Sequence, residues 1–159
     1  MIIKDIKIFS QNIQKNNLIV NTILKTQFSF NVIFIQELLW TTIQSVPNSK
    51  SKEGEELVGI SDHPNWLIFS RNLSSAIDSP RVITYVNIRL LSLYFSFHKD
   101  IFNHRNISLV SFFNNNNTFF LMNVYFDSSQ SALRYLKDTE ANIHNILVIT
   151  GNFNIRDNL

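Results

Sequence analysis

The chain has 159 residues, 45% of them hydrophobic, with 14 Lys and Arg against 12 Asp and Glu, 3 Gly, 3 Pro and no cysteine. This composition fits one globular domain and excludes a disulfide scaffold, a cysteine-ligated metal site, a collagen-like repeat and a charge-rich disordered chain. The formal net charge of +2 provides no broad basic field, so any contact with nucleic acid would have to be local.

The first part of the sequence predicts a βαβ unit. Residues 4–10 alternate in the manner of a strand, residues 15–28 carry apolar side chains at a helical spacing, and residues 32–35 form an unbroken apolar run. A strand, a crossover helix and a second strand set the two strands parallel. The unbroken run of the second strand favours a sheet that is covered on both faces.

The middle of the chain predicts a long loop followed by four strands. Residues 41–65 are polar, contain turn formers and show no period, which is typical of a loop. Strands are predicted over residues 66–69, 82–88, 107–113 and 119–125. The asparagines at 114–117 predict the tip of a hairpin between the last two, because asparagine tolerates positive φ.

The last part predicts a helix and one more strand. Ser128 or Ser129 is predicted to cap a helix over residues 129–142, with Leu133 and Leu136 facing inward. Residues 146–149 predict a further buried strand. The order of elements indicates a mixed α/β sheet protein rather than a helical bundle or a sandwich of hairpins.

Polar clusters stand where four of these apolar strands end. They are Ser10-Gln11-Asn12, Gln36-Glu37, Asn123 with Tyr125, and Gly151-Asn152-Phe153-Asn154. Each cluster alone also fits a turn, a helix cap or a solvated loop. Ligands of open α/β sheets bind at the carboxyl ends of the strands, so a carboxylate and several amides at that edge form a candidate metal or phosphate site.

In this order the clusters resemble the motifs of the endonuclease/exonuclease/phosphatase superfamily and, within it, the endonuclease domain of non-LTR retrotransposons. Ser10-Gln11-Asn12-Ile13 is similar to the first motif, Phe34-Ile35-Gln36-Glu37 to the second, and Asn123-Val124-Tyr125 to the strand that carries the active-site Tyr. Thr150-Gly151-Asn152-Phe153-Asn154 matches the Gly-Asp-Phe-Asn motif at three of its four positions. Loop and strand segments around Pro64, Arg81 and Arg105 also resemble this family.

The resemblance implies a four-layer αββα sandwich of mixed sheets, incomplete at its C-terminus. It implies hydrolysis of a DNA phosphodiester with Mg²⁺, which takes oxygen ligands and one or two carboxylates. Glu37 and Asn12 would hold the metal, and Tyr125 would donate to a phosphate oxygen. Asn152 would lie beside the attacking water, and Asn154 would orient a neighbouring group or the phosphate.

Two departures lead us to expect a truncated and catalytically impaired endonuclease. Asn152 replaces the motif Asp, and a neutral amide cannot take a proton from water. The family also continues beyond this motif to a catalytic His, whereas residues 1–159 match only its N-terminal part as a single partial domain. The alternative is a remnant of the same fold that binds DNA or protein without chemistry, although the basic residues Lys50, Lys52, Arg71, Arg81, Arg89 and Arg105 are scattered along the chain.

The four histidines, at positions 63, 98, 104 and 144, do not take the place of the missing one, and His98 with His104 lacks two further zinc ligands. We expect part of an apolar sheet face to be exposed, and to be covered by self-association or by the missing C-terminal half. No segment resembles a signal peptide or a membrane helix, so we expect an intracellular protein with no membrane partner, and the nucleus is among the expected locations.

Overall fold

The structure is a computed structural model that describes residues 5–38, 44–47, 55–58, 63–70, 79–90, 94–98, 101–114, 117–139 and 146–153. Its strands are β1 (Ile8–Asn12), β2 (Val32–Gln36), β3 (Gln44–Pro47), β4 (Glu55–Val58), β5 (Trp66–Phe69), β6 (Val82–Asn87), β7 (Tyr94–Phe97), β8 (Ile107–Asn114), β9 (Asn117–Phe126) and β10 (Ile146–Phe153). The helices are α1 (Leu18–Thr26) and α2 (Ser131–Asp138), and a 3₁₀ turn covers Ile88–Leu90.

The chain begins with the βαβ unit that the sequence predicts. β1 and β2 pair in parallel over their full lengths, and α1 connects them. α1 buries Val20, Ile23 and Leu24, which follow one another at the spacing of one helix face. All residues of β2 are buried, because this strand has a neighbour on either side and a packed layer on both faces.

Two four-stranded sheets pack face to face between the helices. The first sheet has the strand order β1-β2-β6-β5, and the second has the order β10-β9-β8-β7. Successive side chains of a strand point to opposite faces, and this alternation produces three apolar layers. The outer layer of the first sheet packs against α1 and contains Ile33, Ile35, Ile83 and Tyr85. The layer between the sheets contains Val32, Phe34, Val86, Val110, Phe112 and Leu121, and the outer layer of the second sheet packs Leu109, Met122 and Val124 against Ala132 of α2. The layer order is α, β, β, α, which confirms the expected fold class.

Most predicted strands are present, and the hairpin of β8 and β9 is confirmed, since Asn114 pairs with Asn117. The prediction of one long loop over residues 41–65 is wrong: β3 and β4 form a separate antiparallel pair there. Short polar strands of this kind have no apolar period to reveal them. β7, which pairs with β8, was not predicted either.

The helix boundary at α2 also differs from the prediction. α2 begins at Ser131, and the residue before it, Gln130, has a φ of 53°. Neither Ser128 nor Ser129 caps the helix; the carboxylate of Asp127 accepts from the backbone N–H of Ser131 instead. The turn formed by residues 127–130 therefore takes the place of the predicted serine cap.

The last strand is less buried than its apolar run predicts. β10 lies at the edge of its sheet, where β9 is its neighbour, and the side chain of Ile149 is 52% exposed. Phe113 of the same sheet is 44% exposed. Two separate apolar side chains of the second sheet, Phe113 and Ile149, therefore face solvent.

Gly151 fixes how closely β10 approaches β9. A Cβ atom at this position would lie 1.8 Å from the backbone oxygen of Val124 and 2.7 Å from its carbonyl carbon. The colliding atoms belong to the backbone of a central strand, so they cannot move aside as a flexible side chain would. The glycine is thus required for the pairing that sets Asn152 beside Tyr125.

We expect Gly151→Ala to lower the free energy of unfolding by about 3 kcal/mol or more, because the two strands must separate. Urea denaturation followed by circular dichroism measures this loss. Ser96→Ala, on an exposed position of β7, is the matched control and should change stability by less than about 0.5 kcal/mol. Equal stability of the two variants would contradict the close approach.

Candidate functional site

The space between the two sheets changes from apolar to polar toward the carboxyl ends of β1, β2 and β9. Phe34, Phe112 and Leu121 fill its centre. Beyond them, the hydroxyl groups of Thr84 and Ser108 lie 2.9 Å apart and bridge β6 and β8. The polar residues that the sequence places at strand ends therefore meet at one end of the sandwich.

Asn123 of β9 is the most connected of these residues and is fully buried. Its Nδ2 donates to the backbone oxygens of Ile35 at 3.2 Å and Ile83 at 3.0 Å, both in the opposite sheet. Its Oδ1 accepts from Nε2 of Gln36 at 2.7 Å, and that Nε2 also donates to Oγ of Ser10 at 3.0 Å. The Asn123 amide thus ties β9 directly to β2 and β6, and Gln36 extends the connection to β1.

Glu37 follows β2 directly and leaves the strand with a φ of 59°. This left-handed conformation is uncommon for a residue with a side chain, and such residues concentrate at functional sites. Its backbone oxygen accepts from the N–H of Lys15 at 2.9 Å, which holds the turn after β1 against the turn after β2. The Glu37 side chain remains 20% exposed.

Arg81, just before β6, lies between two carboxylates. Its Nη2 is 3.9 Å from Oε1 of Glu37, and its Nη1 is 3.7 Å from Oδ2 of Asp127. The guanidinium carbon lies 4.5 Å from the centre of the Tyr125 ring, and Nη2 donates to the phenol oxygen at 3.3 Å. We call Glu37, Arg81, Tyr125 and Asp127 the rim cluster.

The backbone holds the rim cluster from several sides. The N–H of Arg81 donates to the oxygen of Arg105 at 2.8 Å, and its oxygen accepts from the N–H of Leu38 at 3.2 Å. The N–H of Tyr125 donates to the oxygen of Asn106 at 2.9 Å. The segments before β6 and β8 are thereby joined to the ends of β2 and β9, and the four side chains sit on a rigid frame.

Asp127 is held as a carboxylate by hydrogen bonds. Burial raises the pKa of Asp127, but donation from Ser129 Oγ, Asn106 Nδ2 and the Ser131 N–H, together with the charge of Arg81, more than offsets this, and the net pKa is lowered. The Ser129 bond is 2.6 Å long and the Asn106 bond is 3.2 Å long. Asp127 is therefore ionised at neutral pH. Its carboxylate accepts from the first N–H of α2 and forms an ion pair with Arg81.

Tyr125 keeps its proton in this setting. Burial raises its pKa, the charge of Arg81 lowers it, and the charge of Glu37 raises it again, so that the net pKa is higher than usual. The phenol oxygen accepts from Arg81, and its own O–H remains a donor. Such a group can donate to a phosphate oxygen at neutral pH.

Of the predicted site residues, the structure brings Glu37 and Tyr125 together in the rim cluster. The Oδ1 of Asn12 accepts from the backbone N–H of Gln14 at 2.8 Å, which is a turn-forming bond. Asn152 pairs in register with Tyr125 in neighbouring parallel strands. Asn154 lies outside the described residues, as does His144.

Sequence reasoning missed two of the four rim residues. Asp127 follows Tyr125 by two positions, so both side chains leave the strand end on the same side, and this spacing was an available signal. Arg81 lies in a segment that resembles the family, but the sequence predicts no role for it at the site, because nothing local in the sequence shows that β6 starts beside the end of β2. That neighbourhood follows from the antiparallel pairing of Gln36 with Val82.

The histidines that the structure describes, at positions 63, 98 and 104, lie outside the rim cluster. His98 Nε2 lies 2.6 Å from Ser111 Oγ on the second sheet, and burial lowers its pKa. The Nδ1 of His104 accepts from the N–H of Asn106 at 3.1 Å. Within the described residues, no group of three His, Cys, Asp or Glu side chains is placed to hold a metal by itself.

The comparisons with known proteins address the fold. No protein-family model matches the sequence, and no curated protein matches it. Among solved structures, the chain is similar to the endonuclease domain of TRAS1, a telomere-specific non-LTR retrotransposon, with a TM-score of 0.55 and 14% sequence identity. The similarity covers 84% of this chain and 51% of that one.

The fold is that of a retrotransposon endonuclease domain. The chain spans about half the length of the TRAS1 domain. Neither helix in the described part of the chain is long and apolar enough to cross a membrane.

We expect Asn123→Ala to lower the free energy of unfolding by about 2–4 kcal/mol, because it removes buried hydrogen bonds across the two sheets and leaves Gln36 short of a partner. Thermal and urea denaturation measure the loss. Asn16→Ala, at an exposed turn residue, is the matched control and should be nearly neutral. A nearly neutral Asn123→Ala would show that the amide does not hold the sheets together.

Asp127→Asn should reduce the acid sensitivity of the fold. A carboxylate whose folded pKa lies below its ordinary value of 3.8 stabilises the fold above that pH, and the stabilisation is lost as the pH falls below it. The free energy of unfolding of the parent should therefore fall more steeply than that of the variant between about pH 5 and pH 2. Asp138→Asn, at an exposed carboxylate at the end of α2, is the control; parallel curves for parent and Asp127→Asn would refute the prediction.

Proposed function

We propose that this chain is an endonuclease-like domain that binds the phosphodiester backbone of DNA with Mg²⁺ at the rim cluster, and that its hydrolytic activity is impaired. The observation that carries the proposal is the meeting of Glu37, Arg81, Tyr125 and Asp127 at the carboxyl ends of the strands. In open α/β sheets this edge is where ligands bind. The similarity of the fold to the TRAS1 endonuclease domain supports the same assignment.

The residues of the rim cluster fit a hard divalent cation. Mg²⁺ takes oxygen ligands and is usually bound by one or two carboxylates together with phosphate oxygens and water. Glu37 provides a partly exposed carboxylate, and Glu37, Asp127 and Arg81 together carry a net charge of −1. We propose that Glu37 anchors the cation and that the amide of Asn12 approaches it from the neighbouring turn.

Each remaining side chain has a part that follows from its chemistry. The bound cation would supply charge neutralisation at the phosphate and at the leaving oxygen. The O–H of Tyr125 donates to a non-bridging phosphate oxygen, and the guanidinium of Arg81 adds positive charge beside it. Asn154 belongs to the same proposal as an orienting group, by resemblance alone.

Impairment follows from Asn152, which lies in register with Tyr125. An amide oxygen can accept a hydrogen bond from water and so position it, but an amide cannot take the proton that water must lose to become the nucleophilic hydroxide. Loss of a general base costs on the order of 100- to 10,000-fold in rate. The same observation favours a second candidate function, a DNA-binding domain that retains the fold and carries out no hydrolysis.

Nicking of supercoiled plasmid with Mg²⁺ tests the proposal. We expect the parent to nick slowly, Glu37→Ala and the isosteric Glu37→Gln to abolish nicking, and Asn152→Asp to raise the rate by about 100-fold or more. Circular dichroism spectra and melting temperatures of all variants establish that the fold is retained.

The outcomes separate the two candidate functions. Nicking by the parent or by Asn152→Asp that depends on Glu37 supports the hydrolase. Absence of nicking in both, combined with salt-dependent binding of a labelled DNA duplex, supports the binding domain. Absence of both activities would reject the proposal.

A further inference from the structure

We propose that Arg81 is a resident counter-cation of the Glu37 and Asp127 carboxylates, and that a divalent cation arriving at Glu37 displaces the guanidinium from that carboxylate. This inference rests on the proposed metal-dependent function and adds the residue that sets how tightly the metal binds. Arg81 is a positioning residue in this scheme, since it acts through the charge that it presents to Glu37.

The geometry of the two ion pairs permits exchange. The distances of 3.9 Å to Glu37 and 3.7 Å to Asp127 exceed the roughly 2.7–2.9 Å of a charge-assisted hydrogen bond. The attraction is therefore Coulombic, and no hydrogen bond must break for the guanidinium to leave Glu37. Both carboxylate side chains are about one-fifth exposed, so an ion from solvent can reach them.

The charges of the cluster make Arg81 and a metal competitors. One guanidinium faces two carboxylates, so these three side chains together carry a net charge of −1, which favours a further cation. A divalent ion at Glu37 would also lie close to the positive charge of Arg81. Like charges at such short range repel each other strongly even with partial solvent screening, so Arg81 weakens the binding of the metal that the carboxylates attract.

The guanidinium keeps its contacts with Tyr125 and Asp127 after it is displaced from Glu37. It stacks on the Tyr125 ring at 4.5 Å, and Nη2 donates to the phenol oxygen. Asp127, which is itself fixed by Ser129 and Asn106, remains beside Nη1. Once Glu37 is neutralised by a cation, the guanidinium donors turned toward it are available to a phosphate oxygen, so metal and phosphate should bind cooperatively through Arg81.

Binding of Mn²⁺ to the full chain in the absence of nucleic acid tests this inference. The electron paramagnetic resonance signal of free Mn²⁺ gives the affinity directly. We expect Arg81→Gln to bind Mn²⁺ about tenfold more tightly than the parent, because a charge that opposes the metal is removed. Arg81→Lys keeps the charge and should bind Mn²⁺ within about threefold of the parent.

Lys25→Gln, on an exposed position of α1, is the control for the loss of one positive charge elsewhere on the protein. It should leave Mn²⁺ affinity unchanged. The melting temperature provides a second measurement in case the variant is less stable than the parent. In EDTA, Arg81→Gln should melt at a lower temperature than the parent. Mn²⁺ should raise the melting temperature of the variant by more than it raises that of the parent.

The outcomes distinguish this inference from the proposed function. Saturable Mn²⁺ binding by Arg81→Gln that is tighter than that of the parent, or present in the variant alone, supports the inference even if no plasmid is nicked. Mn²⁺ binding that is equal in both, weaker in the variant, or absent from both overturns it. Glu37-dependent nicking together with equal Mn²⁺ affinities would retain the function and reject the role of Arg81.

Discussion

The buried amide of Asn123 is the contact on which the rest of this structure depends. An amide that is removed from water must satisfy its donors and acceptor, and here the partners are two backbone oxygens and a glutamine from the facing sheet. Apolar packing alone would hold the sheets together without fixing their relative position. The directed bonds of Asn123 fix it, and in doing so they set the ends of β2 and β9 side by side.

The rim cluster is a consequence of that alignment. Glu37 comes one residue after Gln36, which bonds to Asn123, and Tyr125 comes two residues after Asn123 on the same face of β9. Arg81 enters from β6, whose Ile83 oxygen also accepts from Asn123. The hydrogen bonds of the uncharged residues Asn123 and Gln36 therefore determine where the charged side chains of the rim cluster lie.

The sequence was sufficient for the fold and for part of the site. Periodicity predicted the βαβ unit, five of the remaining strands and the helix after Tyr125, because each of these elements carries an apolar run or an apolar stripe in its sequence. β3, β4, β7 and the cap of α2 were not predicted. The short polar strands β3 and β4 and a carboxylate cap have no such period. Glu37 and Tyr125 were found at strand ends, whereas Arg81 required the antiparallel pairing of β2 with β6, which is a long-range property.

Asp127 has a double attachment with a dynamic consequence. Its carboxylate receives the first N–H of α2 and also faces the guanidinium of Arg81. When the first turn of α2 frays, as helix ends commonly do, the carboxylate loses donors that hold it in place, and the charge balance around Arg81 changes with it. Protection of the Ser131 amide from hydrogen exchange therefore reports on the ion pair between Asp127 and Arg81, because both contacts depend on the same carboxylate.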